Sequence, residues 1–324
     1  MFANIDEVET RFAQAGYIAD HQLAALTFLS VRLGKPMLLE GEPGVGKTEV
    51  AKVLAKILGT DLIRLQCYEG LDTHHALYEW NYLRQMIEVR LEEARGVSKE
   101  QIGRNIFSSE FLLKRPLLQA IQSEGELPPV LLIDEVDRSD EEFEAFLLEV
   151  LSDFQITIPE LGTIKATRKP FVVLTSNRTR ELHDALKRRC LYHWIDYPQF
   201  DKELSIVRAK LANIDETLAR QICRFVEGLR DLDFYKRAGV AETLDWAQAL
   251  LTLGVSELDA ATVAATLGCV LKNKDDLDKL HALDLDQMIA EAKRQDPEMI
   301  GDAATSLVGQ VSASSRVAGS RWKG

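Results

Sequence analysis

The sequence predicts an α/β fold, in which a five-stranded parallel sheet lies between helices and is followed by a smaller all-helical domain. Short apolar runs bounded by turn-forming residues alternate with helical stretches as far as Pro198, a pattern typical of a parallel sheet covered on both faces. Beyond Pro198 only helical periodicity remains. We therefore place a domain boundary near residue 200.

Each predicted element is a run with the expected periodicity. The strands are residues 37–39, 62–65, 130–133, 171–174 and 191–195. Two helices are predicted within residues 5–33, and further helices at 201–212, 215–232, 241–253, 256–272 and 284–294. In the fourth of these, Ser256-Glu257-Leu258-Asp259 has the composition of a helix start.

The predicted domains are residues 1–200, which contain the sheet, and residues 201–311, which are helical. The last segment, 312–324, has three cations, no acid and few apolar residues, which predicts a disordered tail.

Composition narrows the classes of function. The chain has 324 residues and a formal net charge of −12, from 51 acidic and 39 basic residues. Proteins that bind nucleic-acid backbones usually carry a basic excess, so this balance favours a protein partner over nucleic acid. We see no signal-peptide pattern and no apolar run of the ~20 residues that a membrane span needs. These features predict a cytoplasmic protein with no membrane span.

The cysteines argue against a zinc site or a disulfide framework. Cys67, Cys190, Cys223 and Cys269 are widely spaced and form no C-x-x-C pair. We expect four reduced, structural thiols.

A phosphate-binding loop is the most specific motif. Gly41-Glu42-Pro43-Gly44-Val45-Gly46-Lys47-Thr48 matches G-x4-G-K-[ST] and lies between a predicted strand and a predicted helix, as this motif requires. Its backbone N–H groups and the helix N-terminus would bind the phosphates of ATP. We expect Lys47 to reach the β- and γ-phosphates and the Thr48 hydroxyl to coordinate Mg²⁺. Glu49 completes the predicted nucleotide-binding set.

Two acids follow the apolar run 130–133. In open α/β sheets, ligands bind outside the carboxyl ends of the strands, so Asp134 and Glu135 are expected beside the phosphate-binding loop. We expect Asp134 to hold Mg²⁺ together with Thr48, and Glu135 to orient and deprotonate the attacking water. The alternative is that both acids merely end a strand at the solvent.

The next strand also ends in polar residues, Thr175-Ser176-Asn177. Among them Asn177 is the candidate to hydrogen-bond the γ-phosphate or the water. A turn-forming asparagine is the alternative.

A basic cluster precedes the last predicted strand. In an oligomer, Arg188 or Arg189 could reach the γ-phosphate bound by the adjacent subunit, and such a residue is worth roughly 10³–10⁵ in rate. Arg189 is closer to the strand and is the preferred candidate. A solvated basic surface is the alternative.

These motifs together resemble the AAA+ superfamily and, within it, the MoxR family. The resemblance covers roughly residues 20–200. It rests on the phosphate-binding loop and on residues 132–138 (LIDEVDR), 146–153 (FLLEVLSD), 175–177 (TSN) and 196–198 (DYP).

Two further segments resemble the MoxR branch. Residues 154–169 are similar to the β-hairpin that precedes sensor 1, and residues 70–106 fit an insert in the helix-2 region. The run QCYEGLD at 66–72, followed by YEWNY at 78–82, is similar to the subgroup associated with carbon monoxide dehydrogenase maturation.

The resemblance implies a hexameric, Mg-ATP-dependent ATPase that works with a von Willebrand factor A domain protein. Such a protein acts like a chaperone in maturing a client metalloenzyme, here a molybdenum hydroxylase as the candidate. One residue departs from the family pattern, because no arginine stands at the sensor-2 position; Lys236 and Arg237 are the candidate substitutes.

Two other functions stay open at this point. A nucleic-acid motor or loader would use the same module, although the acidic balance speaks against it. A small-molecule kinase would also have the loop, although a basic finger and a helical lid speak against it. The aromatic residues Tyr78, Trp80 and Tyr82 in the insert are either a client-gripping surface or ordinary core.

Overall fold

The computed structural model describes residues 2–294, and the predicted tail at 312–324 lies outside the described residues. The part before residue 200 contains nine strands and nine α-helices within these bounds. The strands are β1 Met37–Gly41, β2 Leu62–Gln66, β3 Tyr78–Trp80, β4 Leu112–Lys114, β5 Val130–Asp134, β6 Gln155–Ile158, β7 Gly162–Lys165, β8 Phe171–Ser176 and β9 Leu191–Ile195. The helices are α1 Ile5–Gln14, α2 His21–Leu33, α3 Lys47–Leu58, α4 Thr73–Leu77, α5 Tyr82–Ala94, α6 Lys99–Asn105, α7 Pro116–Ile121, α8 Glu141–Asp153 and α9 Asp184–Arg189.

Six helices follow. They are α10 Phe200–Lys210, α11 Glu216–Arg230, α12 Val240–Thr252, α13 Ala260–Thr266, α14 Lys274–His281 and α15 Leu285–Ala292. Among residues 2–294, none of the helices has both the length and the hydrophobicity needed to cross a membrane.

The central sheet has five strands in the order β2-β5-β8-β1-β9, and all of its pairings are parallel. The predicted five-stranded parallel sheet is therefore confirmed. Because the strands run in one direction, their carboxyl ends lie at one edge. That edge carries the loop after β1, Asp134 at the end of β5, and Ser176 at the end of β8.

Alternate residues of each strand face opposite layers of helices. Leu38 of β1 packs in one apolar cluster with side chains of α7 and α8, whereas Met37 and Leu39 pack in another with α1, α2 and α3. Every residue of β1 and β5 is buried, which explains their uninterrupted apolar runs.

The segment between β2 and β5 carries a small antiparallel ladder, β3 with β4, and the helices α5 and α6. Tyr78 and Trp80 of β3 are buried in the sheet's core cluster, so they are packing residues, whereas Tyr82 at the start of α5 is exposed. Strands β6 and β7 form a second antiparallel ladder.

Helix α5 differs from an ordinary surface helix, because it buries two polar residues and exposes most of its large apolar ones. Its buried residues are Gln85 and Glu92. Gln85 donates to the carbonyl of Ile106 (2.6 Å), and Glu92 accepts from Asn105 of α6 (2.7 Å). Five large apolar side chains of the helix are exposed instead: Tyr82, Leu83, Met86, Ile87 and Leu91. We call these five residues the α5 apolar face.

Helices α10 to α15 enclose a separate core around Trp246 and Phe225. A buried ion pair supports it, because both guanidinium Nη atoms of Arg230 lie 2.6 Å from the Glu203 carboxylate. Arg230 Nε also donates to the carbonyl of Ala238 (2.8 Å), which fixes the turn before α12.

The prediction was wrong for part of this region. No helix spans 256–272, because α13 begins only at Ala260, where the Asp259 side chain caps it by accepting from the N–H of Thr262 (2.9 Å). Helix α14 was not predicted, because its eight residues are mostly charged and give too little apolar periodicity.

The four cysteines are free thiols. Burial, together with the nearby Asp134 carboxylate, raises the pKa of Cys67 to about 12. This thiol is therefore protonated and unreactive near neutral pH.

Candidate functional site

The loop between β1 and α3 has a backbone that only glycine permits at key positions. A Cβ on Gly41 would lie 2.2 Å from the carbonyl oxygen of Ile195. At Gly44, φ is +80°, and a Cβ would lie 2.8 Å from Oε2 of Glu242. The glycines therefore allow the loop to pass close to β9 on one side and to the start of α12 on the other.

Lys47, the first residue of α3, is buried beneath this loop. Its ammonium group donates to the backbone carbonyls of Gly41 (2.8 Å) and Glu42 (2.7 Å). Burial lowers the pKa of Lys47 to about 8, against the opposing influence of nearby carboxylates, of which Asp137 acts most strongly. The loop therefore holds Lys47 as a cation, but its lowered pKa means that it loses the proton more easily than an exposed lysine does.

Asp134 is the centre of the hydrogen-bond network at this edge, and only 2% of its surface is exposed. Its Oδ1 accepts from the hydroxyls of Thr48 (2.9 Å) and Thr175 (2.6 Å). Its Oδ2 accepts from Nε (3.0 Å) and Nη2 (2.6 Å) of Arg64. One carboxylate therefore links the helix after the loop to two neighbouring strands.

Glu135 has a strained backbone, with φ 56° and ψ 50°, the left-handed region that a residue with a side chain seldom adopts. Its N–H donates to the Thr175 hydroxyl (2.9 Å), which helps to hold this conformation. Its carboxylate lies 3.2 Å from the guanidinium of Arg138. Strain of this kind, of order 1–3 kcal/mol, persists where the surrounding structure imposes it and is common at functional sites.

At the tip of β8, the residue that contacts the network is Thr175. Asn177 lies two residues further on, and its backbone N–H donates to Oδ2 of Asp137 (3.2 Å). The same oxygen accepts from the N–H (2.8 Å) and the hydroxyl (2.7 Å) of Thr179. Buried Asp137 therefore fixes the loop that carries Asn177.

A cavity of about 300 Å³ adjoins the loop. It lies between the residues after α1, the phosphate-binding loop, the end of β9 and the helices α10 and α12, and most of its wall is apolar. The apolar lining comes mainly from Tyr17, Ile18, Val45, Ile195, Pro198, Ile206, Val240 and Leu244. Its volume is at the lower end of the range for small-molecule sites.

The helical region closes one side of this cavity. The N–H of Ala241 donates to the carbonyl of Gly44 (3.2 Å). Glu49, at the start of α3, pairs with Lys210 of α10 (2.9 Å) and also lines the cavity. Glu49 therefore contacts the helical region and also lines the cavity.

Arg188 and Arg189 lie at the end of α9, and both are exposed. Arg189 Nε donates to the hydroxyl of Ser152 on α8 (2.8 Å). Arg188 forms no hydrogen bond or ion pair within residues 2–294. The two arginines thus differ in their freedom to reach another molecule.

Three polar residues of the network were not singled out from the sequence. Arg64 is a charged residue inside an apolar strand run, which is a signal that could have been used. Thr175 was passed over in favour of Asn177, although parallel pairing of β5 with β8 places it beside Asp134. Asp137 lies in a short 3-10 turn, Val136–Arg138, and only the fold shows that it is buried.

Residues 37–195 match the family model described as the ATPase family associated with various cellular activities (AAA). Uncharacterised proteins of two Staphylococcus species are similar in sequence. One from Staphylococcus epidermidis is 27% identical over 239 residues, which cover 72% of this chain and 80% of that protein. One from Staphylococcus aureus is 27% identical over 228 residues, which cover 68% of this chain and 77% of that protein.

Among solved structures, RuvB of Thermotoga maritima is similar. A point mutant of that protein gives a TM-score of 0.45 at 20% identity, covering 94% of this chain and 83% of the other. The structure described as the RuvB Holliday junction branch migration motor gives 0.42 at 19% identity, covering 93% and 81%. At these TM-scores the likeness supports no functional conclusion.

The family match extends from the first residue of β1 to the last residue of β9. It therefore contains the whole parallel sheet, the phosphate-binding loop and the polar network around Asp134. Residues 37–195 are thus similar to AAA ATPase domains over the whole sheet, and the chain is an ATP hydrolase.

Proposed function

We propose that the chain binds Mg-ATP at residues 41–49 and in the adjoining cavity, and that it hydrolyses ATP in an oligomeric ring. One observation carries this proposal: Asp134 joins Thr48, beside the phosphate-binding loop, to Thr175 and Arg64 on neighbouring strands. Such a network brings a cation, hydroxyls and carboxylates to the end of the loop that faces the phosphates in this class of fold. The apolar cavity would take the nucleoside.

The residues present fit a magnesium ion. The Thr48 hydroxyl and the Asp134 carboxylate are hard oxygen ligands and lie 2.9 Å apart. These two residues would hold Mg²⁺, and the ion would supply charge neutralisation at the phosphates. Lys47 would contribute a second positive charge to the same end of the nucleotide.

For hydrolysis, we propose that the Glu135 carboxylate accepts the proton of the attacking water. Its carboxylate lies 3.2 Å from the guanidinium of Arg138 and is partly exposed, directly after Asp134 in the chain. Asn177, fixed through its backbone by Asp137, would position the water or the γ-phosphate. Positioning and charge are most of what phosphoryl transfer requires of a protein.

We propose that Arg188 or Arg189 of a neighbouring subunit is the arginine finger, the residue that reaches the γ-phosphate bound by the adjacent subunit. The contacts favour Arg188. Arg189 would first have to leave Ser152, whereas Arg188 has no contact to give up among the described residues. This arrangement needs an assembly, because an exposed arginine at the end of α9 acts on a second copy. A hexamer is the ring that the MoxR resemblance implies.

The ATPase cycle would drive chaperone-like maturation of a client metalloenzyme, together with a von Willebrand factor A domain protein, as in MoxR proteins. A molybdenum hydroxylase is the candidate client. The α5 apolar face supports a protein partner, since exposed apolar groups that adjoin one another mark association sites. The absent sensor-2 arginine leaves Lys236 and Arg237, both exposed just before α12, as candidate replacements.

The test of the assembly is ATP turnover per chain against protein concentration, with molar mass followed by light scattering. Turnover should rise as rings form by mass action. Constant turnover from a monomer across the whole range would contradict the ring. The test of the client is the molybdenum content of the hydroxylase co-expressed with wild type or Glu135→Gln, which should differ. Equal metal content with both would contradict the maturation role.

A further inference from the structure

Arg64 lies in the edge strand β2, and its guanidinium covers one oxygen of Asp134. Nε lies 3.0 Å and Nη2 2.6 Å from Oδ2. Nη2 also donates to the side-chain oxygen of Gln66. The Arg64 side chain is 50% exposed, whereas that of Asp134 is 3% exposed. A solvent-accessible cation is thus placed on a buried carboxylate.

This pairing satisfies a charge that would otherwise be costly. Oδ1 of Asp134 already accepts hydrogen bonds from two hydroxyls, which carry no net charge. Within residues 2–294, Asp134 forms one ion pair, and its partner is Arg64. Lys47, the other nearby cation, is bonded to loop carbonyls instead. Arg64 is therefore the counter-ion of Asp134.

We propose that Arg64 prevents a divalent cation from binding at Asp134 until nucleotide phosphates accompany it. The inference rests on the proposed Mg²⁺ site at Thr48 and Asp134. A divalent ion alone would meet a carboxylate that is already neutralised and would be repelled by the guanidinium a few ångströms away. The negative charge of the phosphates offsets this repulsion, so the metal binds as a complex with the nucleotide.

A purely structural ion pair makes a different prediction. If Arg64 only stabilised the fold, its replacement would lower stability without raising affinity for a metal. If it is a counter-ion that opposes the metal, its neutral replacement should strengthen metal binding in the absence of nucleotide. The two roles therefore differ in the sign of the effect on metal affinity.

The experiment is a Mn²⁺ titration without nucleotide, followed by the electron paramagnetic resonance signal of free Mn²⁺. Arg64→Gln should bind one Mn²⁺ per chain about tenfold or more tightly than wild type, since one opposing charge is removed. Arg64→Lys should stay close to wild type. Adding Asp134→Asn to Arg64→Gln should abolish the gain.

Arg208→Gln is the matched control. Arg208 is 59% exposed and pairs with Glu216 at 3.2 Å in the helical region, so its loss should leave Mn²⁺ binding unchanged. Arg64→Met keeps the side-chain stem and replaces Arg64→Gln if that variant does not fold.

A second titration in the presence of ADP separates the two possible failures. If wild type binds no Mn²⁺ even with ADP, the proposed metal site is wrong. If wild type binds Mn²⁺ with ADP, but folded Arg64→Gln and Arg64→Met bind it no more tightly than wild type without ADP, only the role of Arg64 is overturned.

Discussion

The nucleotide edge of the sheet and helix α5 depart from ordinary protein surfaces in opposite directions. At the sheet edge, charged groups such as Lys47, Asp134 and Asp137 are buried. On α5, large apolar groups are exposed, and Leu83 retains 77% of its surface. The same helix turns two polar residues, Gln85 and Glu92, inward, toward α6.

The difference between the two regions indicates two kinds of function. Burying charge is costly unless each group finds partners, so a buried polar network indicates a site that uses those charges. Exposing apolar side chains sacrifices burial, so a contiguous apolar face indicates a surface that another molecule covers. We therefore propose that one region carries out chemistry and that the other associates with a partner.

The largest expected effect concerns the arginines of α9. They lie outside both the nucleotide edge and α5 of their own subunit, and the proposal places them at the nucleotide edge of a neighbouring subunit. Replacing Arg188 by Ala should reduce ATP turnover of the assembled protein by roughly 10³–10⁵ while sparing ATP binding. Lys187→Ala is the control on the same helix. Mixing Arg188→Ala with Lys47→Ala subunits should partly restore turnover, because some interfaces then combine an intact loop with an intact finger.

If neither Arg188→Ala, Arg189→Ala nor the double variant reduces turnover at saturating protein, the finger is wrong. The pair would then be a solvated basic surface.

Next in size is the effect of Glu135. Glu135→Gln should bind ATP normally and hydrolyse it about 10²–10⁴ times more slowly, because an amide cannot accept the proton of water. Phosphate release measured under single-turnover conditions checks this, with exposed Glu142→Gln on α8 as the control. Turnover equal to that of wild type would show that Glu135 is not the base.

The insert offers a direct comparison of buried and exposed apolar residues. Trp80→Ala should lower the free energy of unfolding by about 3–5 kcal/mol, since Trp80 is a core residue. Leu83→Ala should change it by no more than about 0.5 kcal/mol, because most of Leu83 is exposed. Urea unfolding measures both. A large loss with Leu83→Ala would show that the α5 apolar face packs within the chain.

The smallest effect is a pH dependence from Lys47, whose pKa is lowered to about 8 by burial. ATP affinity should weaken by about tenfold between pH 7 and pH 9, as the lysine loses its charge. Between about pH 8 and pH 10.5, Lys47 is protonated in the unfolded chain and mostly deprotonated in the folded protein. The contribution of Lys47 to the free energy of unfolding therefore rises with pH in this range.

Titrations with a fluorescent ATP analogue at constant Mg²⁺ check the affinity. An affinity that is unchanged from pH 7 to pH 9 would contradict this role for the Lys47 charge.

The sequence was sufficient for the sheet and the loop because both depend on local patterns. Apolar runs such as 130–133 and the glycine spacing of 41–48 are visible without the fold. Thr48 was predicted as a partner of Asp134, but Arg64 and Thr175 were not, because they meet it only through strand pairing. The exposure of the α5 apolar face was also hidden, since periodicity shows that a helix has an apolar side but not which side is buried. Short, charged α14 lacked even that periodicity.

The central claim is that the loop after β1 and the buried network beside it bind ATP. The most direct test is equilibrium binding of a fluorescent ATP analogue to wild type, Lys47→Ala and Lys56→Ala. Lys56 is an exposed lysine near the end of the same helix and serves as the matched control. We predict that Lys47→Ala shows no measurable binding and that Lys56→Ala binds like wild type. An affinity of Lys47→Ala within about threefold of wild type would contradict the account. Threefold corresponds to about 0.65 kcal/mol, which is less than the roughly 1.5–3 kcal/mol that a hydrogen bond to a charged group contributes.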